Sequence, residues 1–197
     1  LGAERYAEIE LGGADHFAAF APEDTLCVEG LAEWEWTFPR VNERTISNEP
    51  FRLRAALRAR VSVNAADRRM ASELLEFVSE RARDIVGWRP TGGEMGMLVH
   101  SLALQLAGMS EQAIVSECLL RGSGAGLVLK EEGCYGHSSV FNVVARDMGV
   151  IVAEYQHGPI QAGHDAYHFA PTLSADPEFQ RTLPAYLLTY GDWWSEQ

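Results

Sequence analysis

The chain lacks several features that would place it in a specialised class of protein. Its 197 residues include only three cysteines, Cys27, Cys118 and Cys134, which are widely spaced and form no CxxC pair. An odd number of scattered cysteines argues against a disulfide framework and against a zinc knuckle, so a reducing, cytoplasmic setting fits best. No apolar run approaches the roughly 18 residues of a membrane-spanning helix. The hydrophobic content of 47% is that of an ordinary globular protein with a buried core.

Positive charge is also scarce, and it is unevenly distributed. Lysine and arginine total 16 against 28 acids, a net charge of −12, which argues against a nucleic-acid partner and against general attraction to anionic lipid. Residues 40–89 nevertheless hold eleven arginines and seven acids, so this segment carries about +4 and the rest about −16. Two interpretations stay open: a solvated helical face with paired charges, or an arginine-lined surface for an anionic substrate or membrane-bound acceptor. We expect at most peripheral membrane association.

The first 120 residues divide into an irregular part and a helical part. Residues 1–50 are interrupted by prolines and predict only short strands or loops, around 26–28 and around the aromatic group Trp34, Trp36 and Phe38. Residues 51–120 are mainly helical by their apolar spacing. The predicted helices span 51–63, a second segment from the N-cap Asn64 to Gly87, 94–107 with Gly108 at its end, and a fourth from the cap Ser110 to Leu120.

Residues 121–197 alternate between strand and helix patterns. The predicted strands span 127–129, 150–155 and 184–190. Ser138 or Ser139 caps the helix between the first two strands, and Gly149 is its expected C′ residue. A strand, a helix and a second strand of this length form a βαβ unit, whose strands are parallel. The predicted fold class is therefore α/β, a Rossmann-like parallel sheet flanked by helices.

The second of these strands ends in a group of polar side chains. Glu154 is followed by Gln156, His157 and Gly158. Ligands of open α/β sheets bind just beyond the carboxyl ends of the strands. A histidine there is suited to act as a general base, because its ordinary pKa of about 6.5 lets it accept a proton near neutral pH. The alternative is a histidine that only hydrogen-bonds its own loop. Glu154 points to the opposite face of an extended strand from His157, so it need not be its partner.

Two neighbouring loops carry further candidates. His164 and His168 lie four residues apart, a spacing that ligates metals on helices, but no third ligand has a clear spacing. Substrate hydrogen bonding or ordering of the loop is the favoured role for these two histidines. The loop from Tyr135 to Ser139 leads into a helix whose free N–H groups could bind an anion or sugar hydroxyls; the alternative is a plain strand-to-helix turn. Cys134 is a poor candidate nucleophile, since nothing in the sequence provides its base.

Several of these motifs occur together in an order that resembles a known family. They are Glu154-Tyr-Gln-His-Gly158, then His164 and Tyr167, then Leu183-Pro-Ala-Tyr-Leu-Leu-Thr-Tyr-Gly191 with Trp194. This set, within residues 125–197, is similar to a run in bacterial surface-polysaccharide glycosyltransferases of the GT-B fold. A histidine-glycine pair at a similar strand end also occurs in the teichoic-acid glycerophosphotransferases. Ala185 departs from the pattern, where an acid is expected, as does Pro159, where an aliphatic residue is commoner.

The resemblance implies a fold, an activity and a set of partners. Residues 1–197 would form the N-terminal, acceptor-side Rossmann-like domain of a two-domain enzyme of capsule or surface-polysaccharide biosynthesis. A C-terminal domain expected beyond residue 197 would bind the nucleotide-sugar donor, and the fragment alone would be inactive. The co-substrates would be a nucleotide-sugar and a glycan acceptor, with no resident cofactor or metal. The enzyme would work in the cytoplasm or at the inner face of the cell membrane.

The implied site combines these motifs. His157 and Glu154 are the expected catalytic residues. The expected substrate-binding residues are Gln156, Gly158, His164, Tyr167, Tyr135, Ser138 and Ser139. Two alternatives from other classes stay open. One is a metal-dependent hydrolase that uses His157, His164 and His168. The other is a non-catalytic Rossmann-like module that binds a glycan through the same loops.

Overall fold

The structure is a computed structural model of the chain. It describes residues 23–29, 44–156, 160, 163–164 and 166–191. The predicted aromatic group at Trp34, Trp36 and Phe38 lies outside the described residues, as do His157 and Gly158. In the parts of the chain that are described, no helix combines the length and apolar character needed to cross a membrane.

The chain divides into two compact units. We call Phe51–Val115 the helical unit, and Leu1–Pro50 together with Ser116–Gln197 the sheet unit. Three helices account for residues 49–123. They are α1 (Glu49–Ser62), α2 (Ala65–Val86) and α3 (Gly92–Ser123).

The start and end of α2 confirm the sequence prediction. The side-chain oxygen of Asn64 accepts hydrogen bonds from the N–H groups of Ala66 (2.8 Å) and Asp67 (3.3 Å). The Asp67 carboxylate accepts the Asn64 N–H in return, at 2.9 Å. This reciprocal capping satisfies donors that the first turn of a helix leaves free. At the other end Gly87 has a φ of +69°, the left-handed conformation in which glycine commonly ends helices.

The prediction of separate third and fourth helices was wrong, because α3 runs without interruption through Gly108 and Ser110. A single glycine costs a helix only about 1 kcal/mol relative to alanine, which the surrounding turns can offset. Gly108 lies against α1, where a Cβ would make an ordinary van der Waals contact at 3.6 Å with the Cβ of Ala59. The actual helix start is at Gly92, where Thr91 and Glu94 cap each other.

The sheet unit contains two small parallel sheets, so the fold class is α/β with a topology compatible with a Rossmann-like fold. One sheet pairs β1 (Cys27–Glu29) with β2 (Thr45–Ser47). The other has the order β3-β4-β5, with β3 at Leu127–Lys130, β4 at Ile151–Tyr155 and β5 at Tyr186–Leu188. Each of these three strands begins and ends within a few residues of its predicted position.

Helix α4 (Ser139–Asp147) connects β3 to β4 and covers one face of the sheet. Its Ala145 is fully buried against Leu120 and Val152. Ser138 is the N-cap residue of α4, as predicted, but its side chain makes no capping hydrogen bond. A 3-10 turn (Gly136–Ser138) precedes the helix. Gly149 follows α4 with a φ of +73°, as expected for its C′ residue.

Two short helices lie between β4 and β5. They are α5 (Pro171–Ser174) and α6 (Pro177–Arg181). Arg181 of α6 donates to the carboxylate of Asp147 at the end of α4, at 2.7 Å. This ion pair links α6 to the end of α4, and Arg181 also pairs with Glu178 within α6. The loops that follow β3, β4 and β5 consequently meet at the carboxyl edge of the sheet.

Candidate functional site

Glu154, near the carboxyl end of β4, is the organising residue of this edge. Its side chain has no solvent-exposed surface. One carboxylate oxygen accepts the backbone N–H of Cys134 at 2.7 Å, and the other accepts the hydroxyl of Tyr167 in a short hydrogen bond. A buried carboxylate requires such donors, because burial without them costs several kcal/mol. Glu154 therefore ties the loop after β3 to the loop after β4.

The contact with Cys134 depends on a glycine. A Cβ on Gly133 would lie 3.2 Å from the Cβ of Glu154, and 3.4 Å from both its Oε2 atom and Cγ of Pro184. The 3.2 Å distance is tighter than nine in ten natural Cβ contacts, so a side chain at residue 133 would require its neighbours to shift by a few tenths of an ångström. Without a side chain at residue 133, the backbone can approach the carboxylate closely enough for the Cys134 N–H to reach it.

Three aromatic rings pack against one another beside Glu154, and we call Tyr135, His164 and Tyr167 the aromatic triad. The Tyr135 hydroxyl and Nε2 of His164 share a hydrogen bond of 2.8 Å. The ring centroids of His164 and Tyr167 are 4.8 Å apart, and the three ring pairs are all edge-to-face. Aromatic pairs prefer this arrangement. The structure thus brings together four predicted site residues from three separate segments.

Burial and the Glu154 carboxylate raise the pKa of two neighbouring groups, the thiol of Cys134 and the hydroxyl of Tyr167. Burial, followed by the hydrogen bond and charge of Glu154, raises the pKa of Cys134 far above its ordinary value of 9.0. The same causes, in the same order, raise the pKa of the Tyr167 hydroxyl. The Cys134 thiol therefore stays protonated, so it is not a nucleophile at neutral pH.

Two more predicted ligand-binding side chains are engaged within the protein. The hydroxyl of Ser138 is fully buried and donates to the carbonyl of Glu132 at 2.8 Å. Gln156 is 3% exposed, and its side-chain oxygen accepts the N–H of Tyr190 at 3.2 Å. These bonds order the loop after β3 and hold the segment after β5 against the end of β4. In this structure both side chains support the site rather than face a ligand.

A cavity of about 220 Å³ lies next to the aromatic triad. Its walls are aromatic and apolar with the start of α4 on one side, and they comprise Cys134, Tyr135, Gly136, Ser139, Ala166, Phe169, Phe179, Thr182 and Leu183. Phe169 and Phe179 pack edge-to-face at 4.8 Å. The volume is below the about 300 Å³ at which pockets for drug-sized ligands begin. It therefore suits a small ligand or the end of a longer one.

A larger cavity, of about 430 Å³, lies away from this edge, at the start of β4. It is lined by Asn142, Arg146, Gly149, Val150, Ile151, Val152, Leu183 and Ala185. None of the predicted site residues lines it. Position at the carboxyl edge, rather than size, therefore identifies the smaller cavity as the candidate site.

Two residues that support the site were not predicted from the sequence. Asn142 of α4 is 1% exposed, and its amide donates to the carbonyls of Gly133 and Thr182, both at 2.8 Å. Its position on the buried side of α4, one turn before Ala145, was the available signal. Lys130 pairs in register with Glu154, so both side chains lie on the same face of the sheet.

Lys130 is half-buried, with its Nζ atom 5.1 Å from the centre of the Phe141 ring. Burial lowers its pKa, although the charges of Glu132 and Glu154 oppose that shift. The sheet edge therefore contains a partly desolvated cation beside a fully buried carboxylate.

The remaining histidines of the predicted cluster are also partly engaged. Nδ1 of His168 lies 3.1 Å from the backbone oxygen of His164, whose own Nε2 contacts Tyr135. Among the residues that the structure describes, no group of three or more His, Cys, Asp or Glu side chains is arranged to hold a metal ion. His157 and Gly158 directly follow Gln156 in the sequence but are outside this description.

Comparison with known proteins gives no relative from which to infer a function: no family model, no curated protein and no solved structure matches the chain.

Proposed function

We propose that the chain is the acceptor-side domain of a glycosyltransferase that moves a sugar from a nucleotide-sugar to a surface-polysaccharide acceptor. The observation that supports this most is the convergence of the aromatic triad, Glu154 and a small aromatic-walled cavity at the carboxyl edge of a parallel sheet. Sugar rings present C–H faces to aromatic walls and hydroxyls to polar groups, and this site offers both. The order of motifs from Glu154 to Trp194 adds the resemblance to GT-B enzymes.

The residues divide into two roles under this proposal. His157, two residues after the end of β4, is the general base that removes the proton from the attacking acceptor hydroxyl. Glu154 is a positioning residue, because both of its oxygens already accept hydrogen bonds inside the protein. It holds Tyr167 and the Cys134 loop at a fixed distance from β4. The Tyr135–His164 pair, with Ser139 at the start of α4, orients the acceptor.

Donor binding is assigned to a second domain, as in the two-domain GT-B architecture. In that arrangement the chemistry occurs between the two domains, and this domain contributes the acceptor site and the base. The proposed setting is the cytoplasm or the inner face of the cell membrane, where nucleotide-sugars are available.

The test is turnover of the natural protein that contains this chain, measured with a panel of nucleotide-sugars and surface oligosaccharides. His157→Ala should lower turnover about 100-fold or more, since general base catalysis contributes typically 10²–10⁴-fold. His100→Ala, an exposed histidine of α3, is the matched control and should leave turnover unchanged. Near-normal turnover in the His157 variant would refute the assignment of the base.

Two further variants separate this proposal from its alternatives. His168→Ala should have little effect on a glycosyltransferase but should abolish a metal-dependent hydrolase built on the three histidines. Tyr135→Phe should weaken binding of the acceptor oligosaccharide by calorimetry, because it removes the hydroxyl that His164 holds in place. Loss of oligosaccharide binding without any sugar transfer by the wild-type protein would instead indicate a glycan-binding module.

A further inference from the structure

The helical unit has its small residues inside and its large apolar residues outside. The buried positions of its helices include Ala55, Ala59, Ala71, Ala103 and Ala107. Its exposed large apolar side chains include Leu53, Leu57, Val61, Met70, Leu74, Phe77, Val78, Ile85, Val86 and Met97. Exposed apolar groups that cluster in this way mark surfaces that bind something else.

On α1 these side chains form a regular stripe. Leu53, Leu57 and Val61 recur every four residues and are 61%, 53% and 77% exposed. At 100° per residue they occupy one narrow sector of the helix. The buried residues Ala55 and Ala59 lie on the opposite side, where Ala59 faces Gly108 of α3. The stripe therefore points away from the packed side of α1.

Arginines border the stripe on both sides. Arg60 lies next to one border, and Arg54 and Arg58 lie next to the other, all exposed. Within the part of the chain that the structure describes, none of these three arginines forms an ion pair. With Arg52 and a single acid, Glu49 in the first turn, α1 carries a net charge of +3.

The neighbouring helix has exposed apolar residues without this charge bias. On α2 the arginines alternate with acids, and some of them pair, as in Arg69 with Glu73 (3.9 Å) and Arg83 with Asp84 (3.2 Å). The sequence of α2 has four arginines and five acids, and that of α3 has one arginine and three acids, so α1 is distinguished from both helices by its net positive charge.

We propose that α1 docks on the surface of an anionic lipid bilayer, with its axis parallel to the membrane plane. A helix of 14 residues is about 21 Å long, so Leu53, Leu57 and Val61 could enter the headgroup boundary together. The arginines would extend along the stripe and place their guanidinium groups among lipid phosphates. Protein-binding hot spots are enriched in Trp, Tyr and Arg and poor in Leu and Val, so it is the aliphatic stripe, rather than its arginines, that favours lipid over a protein partner.

The test is flotation of the purified chain with vesicles of phosphatidylglycerol and phosphatidylethanolamine, compared with vesicles of phosphatidylcholine alone. The chain should bind the anionic vesicles at 0.1 M salt, bind the neutral ones weakly, and dissociate as salt is raised, since screening weakens surface electrostatics. The triple change Arg54→Gln, Arg58→Gln and Arg60→Gln should lower the partition coefficient on the order of 100-fold. Leu57→Gln with Val61→Gln should weaken binding without changing the charge.

The matched control is Arg68→Gln, Arg81→Gln and Arg83→Gln on α2, which makes the same change in net charge. An equal loss of binding in this control would overturn the proposal, because the charge of α1 would then have no special role. Absence of wild-type binding to anionic vesicles would also overturn it. Sedimentation could also overturn the proposal. If the wild type were a dimer that Leu57→Gln converts to a monomer, the stripe would be an interface between two copies of the chain. Circular dichroism checks that each variant folds.

Discussion

Replacing Glu154 tests whether one buried carboxylate holds the candidate site together. Glu154→Leu leaves the Cys134 N–H and the Tyr167 hydroxyl without their acceptor. A buried donor without an acceptor costs about 1–3 kcal/mol, and the backbone N–H cannot avoid that cost by rotating. The half-buried Tyr167 hydroxyl can turn towards water, so it contributes at the lower end of that range.

Two effects oppose each other in the Leu variant. Loss of the hydrogen bonds destabilises the fold, whereas removal of a buried charge relieves its desolvation. We expect the first to exceed the second, with the free energy of unfolding lower by about 2–4 kcal/mol. Glu154→Gln keeps an acceptor for the Cys134 N–H and should cost only about 1–2 kcal/mol.

Urea unfolding followed by circular dichroism measures these differences, and a double-mutant cycle with Tyr167→Phe isolates one hydrogen bond. The coupling free energy between Glu154 and Tyr167 should be about 1 kcal/mol or more, since the acceptor is charged. An absorbance titration gives a second measurement. Removing the carboxylate should lower the pKa of Tyr167 towards its ordinary range, because the charge and hydrogen bond of Glu154 are among the causes that raise it.

A Glu154→Leu variant whose free energy of unfolding lies within about 0.5 kcal/mol of the wild type would refute this role of the carboxylate, since that is the range of ordinary surface substitutions. A coupling energy near zero with Tyr167→Phe would refute the hydrogen bond itself, even if the Leu variant were unstable.

Three further predictions follow from the geometry. Asn64→Ala should lower the free energy of unfolding by about 1 kcal/mol through loss of the α2 cap, and Asn64→Ser should restore most of it, as measured by urea unfolding. Gly133→Ala should lower the free energy of unfolding by about 1–3 kcal/mol, because the added Cβ crowds the buried Glu154 carboxylate. The matched control is Gly136→Ala, where a Cβ would have no atom within 4 Å, and equal stability of the two variants would contradict the crowding. Stability should fall as the pH rises above about 9. The unfolded chain loses the Cys134 proton near the ordinary pKa of 9.0, whereas burial keeps that thiol protonated in the fold, and burial and Glu131 likewise raise the pKa of Tyr155 from 10.0 to about 12. Melting temperatures of the wild type and of Cys134→Ser, measured from pH 7 to 10.5, test this effect. If the variant lost stability as steeply as the wild type above pH 9, the thiol would not be its cause.

The elements that the sequence predicted well are those determined by local interactions. The start of α2 depends on hydrogen bonds within four residues of Asn64, and β4 follows from a β-branched run bounded by turns. Gly108 shows where local rules fail. A local rule ends the helix at this glycine, yet α3 continues through it, because one glycine costs a helix only about 1 kcal/mol relative to alanine.

The candidate site likewise combines features that local sequence predicts with features that depend on tertiary packing. Its position was predictable, because ligands bind at the carboxyl ends of parallel strands and Glu154 is the penultimate residue of β4. The partners of the Glu154 carboxylate were not predictable. The Cys134 N–H belongs to a loop 20 residues earlier in the chain, and the absence of a side chain at residue 133 lets that loop approach the carboxylate. The hydroxyl of Ser138 was expected to cap a helix or bind a ligand. In the folded loop it donates a hydrogen bond to the backbone carbonyl of Glu132 instead.

Lys130 gives the sheet edge a convenient property for experiment, because it is the only lysine in the chain. A protease that cleaves after lysine has a single target, the bond between residues 130 and 131, at the end of a strand hydrogen-bonded to β4. Cleavage at such a bond requires local opening, and at low protease its rate reports the population of the open form. The appearance of fragments 1–130 and 131–197 would therefore report how often the carboxyl edge opens, without a label or a mutation.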